Sequence, residues 1–357
     1  MAMKPRSSLN DIARHLGISA MTVSRVVNNS GAVSPDTRQR VEDALRELGF
    51  RKDRFASINA SRRGGGSGSW SVVVDAILEA EGERDAYDFY ARIALATVRR
   101  LEEAGCQVEL SDLTRQPERG ARAVSGADAI VFCSPVGDDV VRRVTTLNPG
   151  MVRVAAFHAQ PRASLVGPDD VAAGGMAAEL AARGGHRQVA VLASAHASHG
   201  LRAAAFVARM RELSPSAQVA VLSYPLLPDG IHSDDAVIDG LLAAHRASSF
   251  PTSLLFATGG HATLRAYRFL RAQGIAVPGQ IALLGFDALP FYDHLDIPIT
   301  RIAFGVAAVG QRLAEEAVRL LAGEAEEPAR ILLPCTLVEG RSFVDAAAMP
   351  DRVQHAP

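Results

Sequence analysis

Cysteine is scarce, and the three present, Cys106, Cys133 and Cys335, are odd in number and widely spaced without a C-x-x-C pair. That pattern excludes a disulfide framework and a cysteine zinc site, and leaves the three to pack as small hydrophobes. No apolar run approaches the roughly 18–20 residues of a bilayer span, and residues 1–8 lack a signal-peptide core, so a cytoplasmic protein with no membrane partner is expected. There is no G-x-S-x-G elbow, Walker loop, H-E-x-x-H pair or kinase motif set, and the expectation is therefore no catalytic residue, no cofactor and no enzyme. His196 and His199 lie three apart without a third ligand at suitable spacing, which reads as a loop or helix start and not as a metal site. Asp293-His294 and Asp234-Asp235 read the same way. The stretch Gly64-Gly-Gly-Ser-Gly-Ser69 precedes a strand instead of following one, so it is a flexible linker and not a dinucleotide fingerprint.

What is present is a chain of 357 residues, 48% apolar and 22% charged, long enough for two or three domains. Its net charge of −1 hides an asymmetry. Residues 1–63 carry 12 Lys and Arg against six Asp and Glu, whereas the remainder carries 26 against 33. A basic head on an acidic body fits a nucleic-acid module, because neutralising phosphates requires concentrated positive charge.

In the head, Ser8 and Asp11 have capping-box spacing, and Leu9, Ile12, Ala13 and Leu16 repeat at i, i+3, i+4, i+7. Gly17 stops this helix and Ser19 caps a second one running to about Asn28. Val23, Val26 and Val27 form the buried stripe of the second helix, while Ala20, Met21, Ser24, Arg25 and Asn28 face outward. In a major groove, Arg25 would donate twice to guanine O6/N7, Ala20 and Met21 would meet thymine methyls or base edges, and Thr22 and Ser24 would reach phosphates. Ser34-Pro35 opens a third helix, with Val41, Ala44, Leu45 and Leu48 inward, until Gly49.

The run Leu9-Asn-Asp-Ile-Ala-Arg-His-Leu-Gly-Ile-Ser-Ala-Met-Thr-Val-Ser-Arg-Val-Val-Asn28, followed by Val33-Ser-Pro-Asp-Thr-Arg38 and Leu48-Gly-Phe50, closely resembles the lactose-repressor (LacI/GalR) family of transcription regulators. The resemblance implies that Ala20, Met21 and Arg25 read bases and Leu9 lies close to them. It places Ser8, Ser19, Thr22, Ser24, Asn28, Ser34 and Thr37 on the DNA backbone. Residues 53–61 correspond to the family's hinge helix, with Ala56, Ile58 and Asn59 toward the minor groove. The family's wedge leucine is here Asn59, a poor wedge for unstacking bases. Either Ile58 takes that role through a shifted hinge, or the protein bends DNA less; an unstructured tether is the third possibility.

From Trp70 onward, β-branched runs alternate with helical stretches. Strands are expected at 71–74, 107–110, 129–133, 152–157, 188–193, 218–222, 253–257 and 281–285, with helices such as 87–104, 172–183 and 263–273 between them. This pattern predicts an α/β body of two doubly wound parallel-sheet subdomains, with a ligand between the C-terminal ends of their strands. The resemblance extends over roughly residues 7–343, through Val166-Gly-Pro-Asp-Asp170, Gly184-Gly-His-Arg-Gln188, Val277-Pro278, Leu284-Gly-Phe-Asp287 and Ile297-Pro-Ile-Thr300, and implies a periplasmic-binding-protein-like body. The expected domains are a helix-turn-helix head (1–52), hinge and linker (53–69), an effector-binding and dimerisation domain (70–343) and a tail (344–357). Within the body the first subdomain spans about 70–160 plus 306–333, and the second about 161–303 plus 334–343. The tail lacks leucine heptads, so a coiled-coil tetramer is not expected.

The pocket departs from the family pattern. Where relatives have Asn-Asp this chain has Gly259-Gly260; an arginine is replaced by Gly200, an aspartate by Phe157 and a polar residue by Phe304. Losing these groups together argues against a simple hexose. The expected effector is apolar or aromatic, enclosed by Tyr87, Phe89, Phe157 and Phe304, with Asp287, Arg202, Asp169 and His158 as polar anchors. The alternatives are a collapsed, effector-independent cleft, or a small-molecule enzyme or binding protein with an incidental basic head. The favoured reading is a homodimeric, effector-controlled repressor on a double-stranded, pseudo-palindromic DNA operator.

Overall fold

The computed structural model describes residues 13, 15–19, 22–23, 26, 34–47, 69–77, 86–226, 234–248, 250–287, 289–324 and 327–349. In the head, Gly17 adopts a left-handed conformation (φ 65°), the geometry that ends a helix at lowest cost for glycine. Ser19 Oγ then accepts the Thr22 N–H at 3.1 Å, and Ser34 Oγ accepts the Thr37 N–H at 3.2 Å, so both expected caps form. Helix α1 (Pro35–Glu47) follows the second cap. Ala13, Val23, Val26, Val41 and Ala44 are buried, as the apolar spacing requires, and the Arg40 side chain donates to Leu16 O, tying α1 to the end of the first helix.

Among the described residues the body holds twelve strands in two six-stranded sheets. The first sheet contains β1 (Ser71–Asp75), β2 (Gln107–Ser111), β3 (Ala129–Phe132), β4 (Val152–Ala156), β5 (Ser164–Pro168) and β11 (Arg330–Leu333), in the order β11-β5-β4-β3-β1-β2, all parallel. The second contains β6 (Gln188–Ser194), β7 (Gln218–Tyr224), β8 (Leu254–Ala257), β9 (Ala282–Phe286), β10 (Thr300–Phe304) and β12 (Cys335–Val338), in the order β12-β10-β9-β8-β6-β7. There β12 is antiparallel to β10 and the rest are parallel. Unbroken apolar runs such as Ala129–Phe132 and Ala282–Phe286 are wholly buried because helices cover both faces of each sheet.

Eight strands were expected and each forms within two residues of its expected ends; β5, β10, β11 and β12 are additional. The first of these corrects a boundary. β5 pairs with β4 and β11, so the chain leaves the first sheet after Pro168, not near residue 160. It returns after Phe304 and changes sheets again at Pro334. Three chain segments therefore cross between the two halves.

Each half uses the same close helix contact. Helix α9 (Val306–Leu321) packs on α2 (Ala86–Glu103) in the first half, and α5 (Asp170–Arg183) on α6 (Ala197–Leu213) in the second. A Cβ on Gly310 would lie 2.7 Å from Ala96 Cβ, and one on Gly174 would lie 2.8 Å from Ala205 Cβ, so glycine is what lets each backbone approach. The remaining helices, α3 (Pro117–Gly126), α4 (Asp138–Leu147), α7 (Asp235–Ala247) and α8 (Gly260–Ala272), complete the layers. Cys106 and Cys133 are buried, Cys335 is half-buried, and all three are free thiols. Among the described residues no helix is long and apolar enough to cross a membrane.

Candidate functional site

Of the residues expected to contact DNA, Ser19, Thr22, Ser34 and Thr37 are described. They form two capping pairs on the head, Ser19 with Thr22 and Ser34 with Thr37, each joined hydroxyl to hydroxyl at 2.8 Å. Their side chains remain partly or fully exposed, the condition for reaching phosphates. Ser8, Leu9, Ala20, Met21, Ser24, Arg25, Asn28, Ala56, Ile58 and Asn59 lie outside the described residues.

The candidate ligand cleft is built from strand ends. β4 runs into Phe157 and His158, β6 ends at Ser194, β8 leads into Thr258, β9 into Asp287, and β10 ends at Phe304. Two of these non-glycine residues, Phe157 (φ 56°) and Asp287 (φ 75°), hold left-handed backbone. Ladder-like bonds keep them there: Phe157 N–H donates to Val166 O at 3.0 Å and Asp287 N–H to Ile302 O at 3.1 Å. Such a conformation costs a bulky residue of the order of 1–3 kcal/mol and is retained at ligand and switch positions.

Three of the four expected aromatics come together. Phe89, Phe157 and Phe304 have ring centroids 5.7–6.0 Å apart, and Phe304 also meets Phe286 at 5.9 Å. Phe157 belongs to the first half and Phe304 to the second, so the cluster spans the cleft. Tyr87 begins α2, but its side chain lies outside the described residues. Tyr90, absent from the sequence-based set, packs on Phe89 and Phe157; burial, then the Asp287 charge, raises its phenol above the ordinary value, and it stays a protonated donor.

Of the expected polar anchors, Arg202, Asp169 and Asp287 each have a partner within the protein. Arg202 is buried: Nε donates to Asp170 Oδ1 at 2.8 Å, Nη1 donates to Thr258 O at 2.6 Å, and the guanidinium lies 3.6 Å from the centre of the Phe286 ring. Its partner is Asp170, which the sequence did not single out. Asp169 instead caps α5, accepting the Ala172 N–H at 2.9 Å. Asp287 Oδ2 accepts the Gly260 N–H at 2.6 Å, and burial raises the Asp287 carboxyl against the opposing pull of Arg202.

The glycine pair has a steric reason. A Cβ on Gly259 would lie 2.3 Å from His199 Cε1, and one on Gly260 would lie 2.7 Å from Leu289 Cδ1 and 2.9 Å from Asp287 Oδ2. His199 therefore fills the space that the family's Asn side chain would need. At Gly200 nothing approaches within 4 Å of the Cβ position, so that site is open.

His196 caps α6 and His199 occupies its first turn, as their spacing suggested. With His158 they form a row, at centroid separations of 5.8 Å (His158–His196) and 5.5 Å (His196–His199), and His199 Nδ1 lies 2.7 Å from Ser194 Oγ. Among the described residues no three His, Cys, Asp or Glu side chains are grouped to hold a metal ion. Burial, with help from the His158 and Arg202 charges, pushes His196 down to about 4; burial and Arg202 hold His199 well below its ordinary value.

These shifts have a thermodynamic consequence. Between pH 6.5 and about 4 the unfolded chain takes up a proton that the folded His196 refuses, so this stability is present above pH 6.5 and lost as pH falls. Asp75 acts oppositely: burial pushes its carboxyl up to about 7, so its penalty grows as pH rises. Comparison with a His196→Asn variant isolates the histidine. Its melting temperature, relative to the wild type, is expected to gain about 2–4 °C between pH 7 and pH 5; a difference independent of pH would show that His196 is not held neutral.

Residues 8–53 match the family model described as bacterial regulatory proteins of the lacI family, and residues 177–343 match a periplasmic binding protein-like domain. The chain is 27% identical to the HTH-type transcriptional regulator CelR of Thermobifida fusca, over 95% of this chain and 98% of the relative. It is 25% identical to the lactose operon repressor of Escherichia coli, over 95% and 91%. Among solved structures, the CelR–cellobiose complex superposes with a TM-score of 0.62 at 25% identity, covering 95% of this chain and all of that one. The lac repressor dimer bound to operator and the anti-inducer ONPF gives 0.63 at 21% identity, over 95% of this chain and all of that one, a likeness of fold.

Proposed function

Because the chain belongs to the LacI/GalR family of DNA-binding transcription regulators, we propose that it represses transcription by binding a pseudo-palindromic operator as a homodimer, under control of an aromatic effector. Two heads present Arg25, Ala20 and Met21 to base edges, while Ser19, Thr22, Ser34 and Thr37 hold phosphates. The body supplies no chemistry; it is a two-state element whose halves move when ligand binds one arrangement more tightly, a coupling typically of about 1–3 kcal/mol.

The observation that carries the effector class is the state of the cleft's polar groups. CelR is described with cellobiose, and sugar hydroxyls require free bidentate donors and acceptors. Here Arg202 is bonded to Asp170 and Thr258, Asp287 is engaged by Gly260, and Gly259-Gly260 offers no side chain. The Phe89, Phe157 and Phe304 rings supply an apolar wall instead. One fact favours a second reading, a collapsed cleft without effector: those rings already pack on one another and His199 fills the space beside Gly259.

Thermal-shift screening of the full chain against sugars, nucleosides, aromatic acids and uncharged aryl compounds separates the readings. At least one aromatic class is expected to raise the melting temperature, by mass action on the folded state, and to change operator affinity. A response to plain hexoses would overturn the aromatic reading, and silence across all four classes would favour the collapsed cleft.

A further inference from the structure

Within the aromatic-effector reading, one buried donor narrows the ligand class. His196 Nδ1 accepts the Ser198 N–H at 3.3 Å, which leaves the single proton of the neutral ring on Nε2. That nitrogen is buried and has no acceptor. Buried donors without partners are rare in folded proteins because the lost hydration is not replaced. Opposite it, from the first half of the body, His158 presents its Nδ1, equally buried and without a partner. The two rings meet where the two halves face each other, centroids 5.8 Å apart and so in van der Waals contact, one on the loop after β4 and the other at the cap of α6.

We propose that His196 Nε2 donates to an acceptor atom of an uncharged aromatic effector, such as an aryl amide or aryl ketone, that separates the touching His158 and His196 rings as the two halves part and lays its own ring against Phe157. A ligand placed there touches both subdomains, the condition for biasing their relative position. Charge decides against an anion: the Arg202 guanidinium is already neutralised by Asp170, and both α6 histidines are held uncharged, so a carboxylate would be buried without a counter-ion. A transition metal is disfavoured by the tautomer, since Nε2 can ligate only if the proton moves to Nδ1 and displaces the Ser198 bond. Near the acceptor, Ser198 Oγ donates to Phe157 O at 3.4 Å, a direct bond between the two halves beside the site.

The test is calorimetric titration of the full-length protein with benzamide, acetophenone, benzoate and glucose, in the wild type and in His196→Asn and His196→Gln variants. Asn retains the capping acceptor but falls short of the Nε2 position; Gln extends a donor toward it. Saturable binding of benzamide or acetophenone is expected, weakened at least tenfold in His196→Asn and largely restored in His196→Gln, with all three proteins melting alike at pH 8. Undiminished binding in His196→Asn, a preference for benzoate, or no binding of either uncharged compound would overturn the assignment. Benzoate preference would leave the aromatic-effector reading standing, whereas glucose binding would remove that reading as well.

Discussion

Replacing Arg202 by alanine is expected to destabilise the body by about 3–5 kcal/mol. Arg202 is 3% exposed and Asp170 9%, so truncation strands a carboxylate in a site with almost no water. It also takes the donor from Thr258 O and lifts the cation from the face of Phe286. The loss is not the worth of the ion pair, because desolvating both charges offsets much of their attraction. A paired Arg202→Met, Asp170→Leu replacement removes both charges and is expected to cost clearly less than the sum of the single changes. Urea unfolding of the two singles and the double measures this as a coupling energy. A loss below 1 kcal/mol for Arg202→Ala, or strictly additive singles, would mean that the pair is solvated and does not organise the α5–α6 contact.

The same residues show what the sequence could and could not reveal. Val72–Val74 and Leu254–Ala257 were legible as strands because burial on both faces demands unbroken apolar runs. β5 was not: its sequence Ser-Leu-Val-Gly-Pro reads as a turn, and only pairing with β4 and β11 on either side makes it a strand. β11 and β12 are four residues each and flank Pro334, too short for a periodic signal. At the site, Phe157 and Phe304 were identified by what they replaced, and they meet each other and Phe89. The Arg202–Asp170 pair was not legible: at the start of α5 the first of two successive aspartates caps the helix and the second, about 100° further round, turns inward to Arg202. Tyr90 gave no signal distinct from a helix-face aromatic, and the alignment of His158 with His196 depends on two segments far apart in the chain.

Arg25→Ala is expected to weaken binding to the preferred DNA by about 10- to 100-fold, the cost of about 1–3 kcal/mol for one bidentate guanine contact, and to relax preference at a single base pair in each half-site. Thr37→Ala, removing a phosphate-side hydroxyl, is expected to weaken all duplexes alike. Competition binding against single-base variants of the selected duplex distinguishes the two patterns. Equal loss across every variant for Arg25→Ala would take that residue out of the groove.

The most direct measurement is a salt titration of duplex affinity for the full-length protein and for one lacking residues 1–63, using a palindrome selected from random-sequence DNA. The full-length protein should bind with affinity falling steeply as salt rises, from release of the ions it displaces. The shortened protein should show no duplex binding while keeping its response to the cleft ligand. Retained duplex affinity without the head, or affinity indifferent to salt with it, would contradict the division of labour between a cationic reader and a ligand-sensing body.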